Sequence, residues 1–234
     1  GIGYPGSTGL STIDYMLTDR SHVTPLEDNY YRENILRMAD GVSVYEAPDY
    51  APAVSELPLD SNGYITFGSL NQPRKINQQV LNIWVTLLVS VPESKLLLKY
   101  TSMDDPSTIS RIEEVFTSRD IEPARLIVEG GEPHAEFLGR YSAIDIALDT
   151  FPYSGGITSC EAMWMGVPVI TFTGTLIASR HATSHLTCVG LTEFIAADEE
   201  SYIETAQQLA NDPDKLRNIR SNLRTRMASS PLCD

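Results

Sequence analysis

The sequence predicts an α/β protein built on a doubly wound, Rossmann-like parallel sheet. From Tyr64 onward, short β-branched or leucine-rich runs alternate with longer segments of helical apolar spacing, the pattern of strand–helix–strand crossovers. The strand runs are apolar in their interiors, as in SKLLLKY at 94–100 and PVITF at 168–172, so both sheet faces should be covered by helices. The 234 residues are 42% hydrophobic and 21% charged. That suits one large domain or one and a half ordinary ones, and it argues against disorder.

The elements follow in order. Residues up to about Ser61 are punctuated by Gly and Pro. Within them Ile13–Leu17 reads as a short strand, and Asn29–Met38 (NYYRENILRM) has amphipathic helical spacing. Residues 47–60 hold several prolines and acids and read as a linker. Residues 1–60 thus read as the end of an incomplete first domain plus a bridge, and 61–234 as a second, regular domain. Strands are expected at Tyr64–Leu70, Ser94–Tyr100, Arg125–Val128, Ile144–Leu148 and Pro168–Phe172, five in all. Helices are expected at Asn77–Val91, from about Ser107 to Ser118, and at His134–Tyr141 and Thr158–Met165. Three more close the chain at about 177–188, 199–211 and 213–228.

Composition excludes several functions. Seventeen Lys and Arg against 31 Asp and Glu give a net charge of −14, the wrong field for a nucleic-acid groove. No run of about 18 apolar residues is present, so a membrane partner is not expected. Cys160, Cys188 and Cys233 form no CxxC pair; zinc and redox motifs are disfavoured and a reducing cytoplasmic setting is expected. The chain lacks an initiator Met and opens at Gly1-Ile-Gly-Tyr-Pro-Gly, which reads as a piece of a longer protein.

In an open parallel sheet, ligands sit outside the carboxyl ends of the strands. Three loops there carry chemistry. In Gly68-Ser69-Leu70-Asn71-Gln72-Pro73-Arg74-Lys75, Gly68 permits close backbone approach. Lys75 stands near the start of the next helix, either to neutralise a phosphate or as a solvated loop lysine. In Asp149 to Glu161, Gly155-Gly156 precede Thr158 and Ser159 at a helix start. Backbone N–H groups there suit a diphosphate, and Glu161 one turn on suits ribose hydroxyls; the alternative is a capped helix with Thr158 and Glu161 as a local cap. In Gly130 to Phe137, His134 opens a helix and faces either a phosphate or only the helix end. Arg140 either reaches an anion or pairs with Glu136 four residues back. Asp145 and Asp149 read as hydrogen-bond partners rather than a metal pair. His181 and His185 lack the Glu of an HExxH site and read as surface or supporting residues.

These motifs, taken together, resemble a known family over essentially the whole chain. Gly3-Tyr4-Pro5-Gly6-Ser7-Thr8-Gly9 with Asp14-Tyr15 and Thr18-Asp19, Gly63-Tyr64-Ile65-Thr66-Phe67-Gly68-Ser69 with Asn71 and Lys75-Ile76, and Leu148-Asp149-Thr150-Phe151-Pro152-Tyr153 with Cys160-Glu161 and Met165-Gly166-Val167-Pro168-Val169 are similar to segments of the C-terminal catalytic half of protein O-linked N-acetylglucosamine transferases and SPINDLY proteins (glycosyltransferase family 41). The resemblance implies a GT-B architecture, two Rossmann-like domains facing across a cleft, and inverting sugar transfer without metal or other cofactor. It implies a nucleotide-sugar donor, UDP-N-acetylglucosamine before GDP-fucose, and Ser or Thr of acceptor proteins. It implies that Lys75 stabilises the leaving diphosphate, that Gly155, Gly156, Ile157 and Thr158 lie along the diphosphate, and that Glu161 takes the ribose. Gln72, His134 and Arg140 fall at or beside donor positions. It places the family's acceptor-activating histidines and tetratricopeptide repeats upstream. Two positions depart from the family. Ile157 stands in a run of hydroxyl residues and Phe137 where a histidine is usual, with His134 one turn earlier. Each lost hydrogen bond to a charged group costs about 1.5–3 kcal/mol, so a decayed transferase acting as a binding module is the rival reading.

Overall fold

The computed structural model describes residues 6–234; Gly3, Tyr4 and Pro5 of the first motif lie outside the described residues. Two parallel strands, β1 (Tyr15–Asp19) and β2 (Asn34–Met38), form a small separate sheet. Asn29–Met38 is therefore not a helix. Its second half lies in register beside β1, Tyr15 opposite Asn34, and a 3-10 turn at Pro25–Tyr30 precedes it. Pairing with β1 overrides the helical spacing, because short apolar runs adopt whichever backbone a neighbour completes.

The main sheet holds six parallel strands. They are β3 (Thr66–Ser69), β4 (Lys95–Lys99), β5 (Leu126–Glu129), β6 (Ile146–Leu148), β7 (Val169–Phe172) and β8 (Ile195–Ala196). The order β5-β4-β3-β6-β7-β8 is that of a doubly wound dinucleotide-binding sheet, with its switch point between β3 and β6. Strand β8 adds one to the five expected; two residues are too short to show a period. Every residue of β3 and β6 is buried, so helices cover both faces. After a one-turn α1 (Pro58–Asn62) come α2 (Gln78–Ser90), α3 (Pro106–Thr117), α4 (His134–Gly139), α5 (Ile157–Trp164), α6 (His181–Val189), α7 (Glu199–Ala210) and α8 (Pro213–Ala228). Asn77, Asp105, Asp198 and Asp212 cap α2, α3, α7 and α8 by accepting backbone N–H bonds, the role their side chains suit.

The proline-rich segment before α1 is packed rather than loose. Arg220 of α8 is buried and donates to the carbonyls of Ser55, Tyr141 and Ile144, while Arg224 donates to Pro52 O at 2.7 Å. Two side chains fix the far end of β6: Trp84 of α2 donates to the Tyr202 hydroxyl at 3.3 Å, and that hydroxyl donates to Asp149 O at 3.0 Å. The loop after β6 thus leaves the sheet from an anchored point.

Candidate functional site

Loops leaving β3 and β6 meet at the switch point. Gly68 lies beside Ile144; a Cβ there would stand 2.6 Å from Ile144 Cγ1, so only glycine lets these two strands pack this closely. Asp149, at the end of β6, organises the second loop. It is fully buried and accepts from Thr150 N at 2.8 Å, Gly155 N at 2.6 Å and Thr171 Oγ1 at 2.7 Å. Burial pushes its carboxyl up, opposed by these bonds and by the Lys75 charge. Gly155 has no room for a side chain: a Cβ would stand 2.9 Å from Asp149 Oδ1 and would also strike Ser159 Oγ. The loop therefore curls back on Asp149 and delivers Gly156 as the N-cap of α5. Ser159 N and Cys160 N donate to Gly156 O, at 3.1 and 3.4 Å, and among the described residues the N–H groups of Ile157 and Thr158 have no carbonyl partner.

Lys75 is not at the start of α2. It closes a 3-10 turn, Pro73–Lys75, and Asn77 caps that helix. Its Nζ instead crosses to the second loop, donating to Ser154 O at 2.8 Å and lying 4.5 Å from the centre of the Tyr153 ring. Burial lowers its pKa while the Asp149 charge opposes the shift. A partly desolvated ammonium beside free helix N–H groups is a strong local field for an anion.

Gln72, Lys75, Gly156, Ile157 and Thr158 all line one open cleft of about 780 Å³. Thr158 Oγ1 donates to Asn71 Oδ1 at 3.0 Å, and Gln72 Nε2 donates to the Tyr100 hydroxyl at 3.3 Å. Ile157 is 70% exposed, an apolar side chain on a polar wall. Thr158 and Glu161 do not form a local cap, since Thr158 turns to Asn71 and Glu161 to His134. His134 Nε2 meets Glu161 Oε1 at 2.7 Å and its Nδ1 meets the Tyr50 hydroxyl at 2.9 Å. Burial raises the Glu161 carboxyl, opposed by the His134 hydrogen bond. Arg140 pairs with neither Glu136 nor a cleft group. Its Nε and one terminal nitrogen donate to Glu129 at the end of β5, at 2.8 and 2.6 Å. The reason is topological: Arg140 follows α4, in a 3-10 turn beside the edge strand. Phe137 is buried among Tyr100, His134 and Tyr141, so an aromatic core takes the place where the family has a histidine.

Asp145 accepts from Leu59 N and Thr66 N, and Asp149 is occupied as above, which is the hydrogen-bonding role read for both. His185 is buried against Cys160, Nδ1 to Sγ 3.4 Å. Sequence reasoning gave no role to Asn71 and Tyr45, which line the cleft, or to His22 behind it. Asn71 orients Thr158. Tyr45 lines the cleft nine-tenths buried, and its hydroxyl has no hydrogen-bond partner among the described residues. His22, from the first segment, touches His181. Tyr45 and His22 carry no local signal, and Asn71, though in the loop after β3, takes its role from Thr158, 87 residues on.

A model of Glycosyl transferase family 41 matches residues 51–234. The Probable UDP-N-acetylglucosamine--peptide N-acetylglucosaminyltransferase SPINDLY of Petunia hybrida is 40% identical over 234 residues, which is 100% of this chain and 25% of that protein. Its namesake in Solanum lycopersicum is 38% identical over 237 residues, with the same two coverages. A solved structure of a Thermobaculum terrenum O-GlcNAc transferase mutant superposes with a TM-score of 0.86 at 35% identity, over 95% of this chain and 42% of that one. The chain spans about a quarter of the length of the curated relatives it matches. By its sheet order, its motifs and these matches, the chain belongs to glycosyltransferase family 41 and forms a Rossmann-like half of a GT-B fold.

Proposed function

We propose that this chain is the donor-binding half of a protein O-glycosyltransferase that moves N-acetylglucosamine from UDP-N-acetylglucosamine to Ser or Thr of acceptor proteins, with inversion and without a metal. The observation that carries the reading is the meeting of Lys75 with the Ser154–Thr158 loop at the sheet switch point. A diphosphate there would take charge-assisted bonds from Lys75, the first N–H groups of α5 and the Thr158 hydroxyl. As the bond from sugar to diphosphate breaks, negative charge grows on the diphosphate, and the fixed ammonium stabilises it without reorganising. Glu161, held by His134, supplies a carboxylate for ribose hydroxyls. The names of the relatives support the UDP donor and the peptide acceptor. Three free thiols support a reducing, cytoplasmic setting, and no described helix is long and apolar enough to cross a membrane.

The exposed Ile157 and the buried Phe137 favour a second reading, a nucleotide-binding module without turnover. Calorimetric titration of UDP and GDP into the full-length protein without metal, followed by transfer assays with a peptide acceptor, separates them. UDP binding with transfer supports the main reading. GDP preference moves it to fucose transfer, and binding without transfer makes it the module. Lys75→Met should lower kcat by about 100-fold or more; turnover within a factor of two of wild type would refute the role of Lys75.

A further inference from the structure

The cleft holds a histidine that the transferase reading does not use. His181, the first residue of α6, lines it together with Lys75 and Tyr153. The Tyr153 ring lies beside both: Lys75 Nζ is 4.5 Å from its centre, and the centre of the His181 ring is 6.0 Å away. Ser154 ties the two sides together. Its carbonyl accepts from Lys75 Nζ at 2.8 Å, and its hydroxyl accepts from Ala182 N at 3.0 Å.

The His181 ring is set from behind. Its Nδ1 lies 2.9 Å from His22 Nε2, and His22 Nδ1 lies 2.8 Å from Asp19 Oδ2. His22 and Asp19 are both buried. Asp19 also accepts from Ser21 N, His22 N, Val42 N and Ser184 Oγ, so donors meet both of its oxygens and favour the ionised form. A buried carboxylate calls for a counter-charge, and the cationic group in contact with it is the His22 ring. As an imidazolium, His22 donates from both nitrogens, to Asp19 through Nδ1 and to His181 through Nε2. His181 then accepts on Nδ1 and carries its own proton on Nε2. Among the described residues that Nε2 has no hydrogen-bond partner, since the ring bonds only through Nδ1.

The charges agree with this assignment. Burial alone would raise the Asp19 carboxyl, but the hydrogen bonds and positive charge of His22 and the Ser184 bond hold it well below the usual carboxylate range. Burial lowers the His181 pKa to about 4, helped by the charges of His22 and Lys75 and opposed by Asp19. His181 is therefore a neutral ring beside a charged one, and its single proton goes to the nitrogen that His22 leaves free.

We propose that His181 is a second donor to the leaving diphosphate, giving its Nε2–H to the terminal phosphate beside Lys75, with His22 and Asp19 as positioning residues that fix its tautomer. The inference rests on the transferase reading, which puts the ribose at Glu161 and so the sugar-bearing phosphate at the Lys75 end. In the step, the acceptor oxygen bonds to the anomeric carbon from the opposite face and loses its proton to a general base of the upstream half. The bond from that carbon to the phosphate oxygen breaks, and its electron pair stays on the oxygen. His181 keeps its proton and shares with Lys75 the charge that grows there.

The test is calorimetric titration of the full-length protein with UDP and with UMP, which lacks the terminal phosphate. His181→Ala should weaken UDP by about 10-fold or more, the loss expected for a hydrogen bond to a charged group, and leave UMP within about twofold. His181→Gln keeps an amide donor and should hold UDP within about threefold of wild type. With saturating donor, kcat of His181→Ala should fall by about 10-fold or more. His22→Phe keeps a ring and deletes the donor; it should cut the preference for UDP over UMP by about threefold or more, with no further loss in a His181→Ala background. An unchanged UDP preference in His181→Ala, equal losses for UDP and UMP, or a His181→Gln loss as large as that of His181→Ala would overturn the assignment while leaving the transferase reading intact. A His22→Phe loss that adds in full to that of His181→Ala would overturn the positioning role. A wild-type protein that binds neither nucleotide would overturn both readings.

Discussion

Arg180 immediately precedes His181 and ties the first segment to the main domain. Its guanidinium bonds Glu27 at 2.8 Å through each outer nitrogen and also donates to the carbonyls of His22, Gly174 and Thr175. The two side chains are only 10% and 19% exposed. Arg180→Met keeps the stem and deletes the charge, which strands Glu27 and three carbonyls. Breaking a buried pair by removing one partner costs about 3–5 kcal/mol, against about 0.2–1 kcal/mol for an exposed pair. With a urea slope of about 2 kcal/mol per molar, the midpoint should fall by about 1.5–2.5 M. A double-mutant cycle with Glu27→Gln isolates the pair, and the coupling should reach about 1.5 kcal/mol or more. The Arg180 hydrogen bonds, working against burial, pull the Glu27 pKa down to about 2 from an ordinary 4.5. A carboxylate lowered in the folded state adds stability that is complete above its unfolded pKa and is lost as pH falls through the folded one. The wild-type protein should therefore lose this contribution between about pH 4.5 and 2, and Arg180→Met should lose that part of the slope. A coupling below about 0.5 kcal/mol, or an unchanged acid slope, would refute the clasp.

Two further outcomes test the cleft itself. Gly155→Ala forces a methyl against Asp149 and Ser159; overpacking of about 1–3 kcal/mol should lower the melting temperature by about 2–12 °C, and an unchanged melt would mean the loop has slack it does not show. Ile157→Thr replaces an exposed side chain, so stability should stay within about 0.5 kcal/mol while calorimetry shows tighter UDP binding. An unchanged affinity would place that side chain away from the diphosphate.

The periodic parts of the chain were legible where one segment sets its own pattern. Val80, Ile83, Trp84, Leu87 and Leu88 announce α2, and all five are buried in it. Strands β3, β4 and β7 are apolar because both their faces are covered. The 29–38 segment and β8 were not legible, the first because its partner β1 supplies the hydrogen bonds and the second because it is two residues long. At the site, the two loops flanking the switch point stood out because each leaves a strand end carrying glycines, a lysine or hydroxyl residues, and the structure brings them together. Arg140 misled because its sequence neighbour Glu136 is not its spatial one.

What the sequence determined by itself is therefore local: the alternation of strands and helices, the two glycine-bearing loops, the acidic charge, and motifs specific enough to carry a family. The tertiary structure alone decided which side chains meet. It turned Lys75 from its own helix to Ser154, joined Glu161 to His134 rather than Thr158, and brought His22 to His181 across 159 residues. The physical reason is that periodicity and turn chemistry are written within a few residues, whereas hydrogen bonds, desolvation and charge act through space. Their partners are set by strand order and by which loops leave the same end of the sheet.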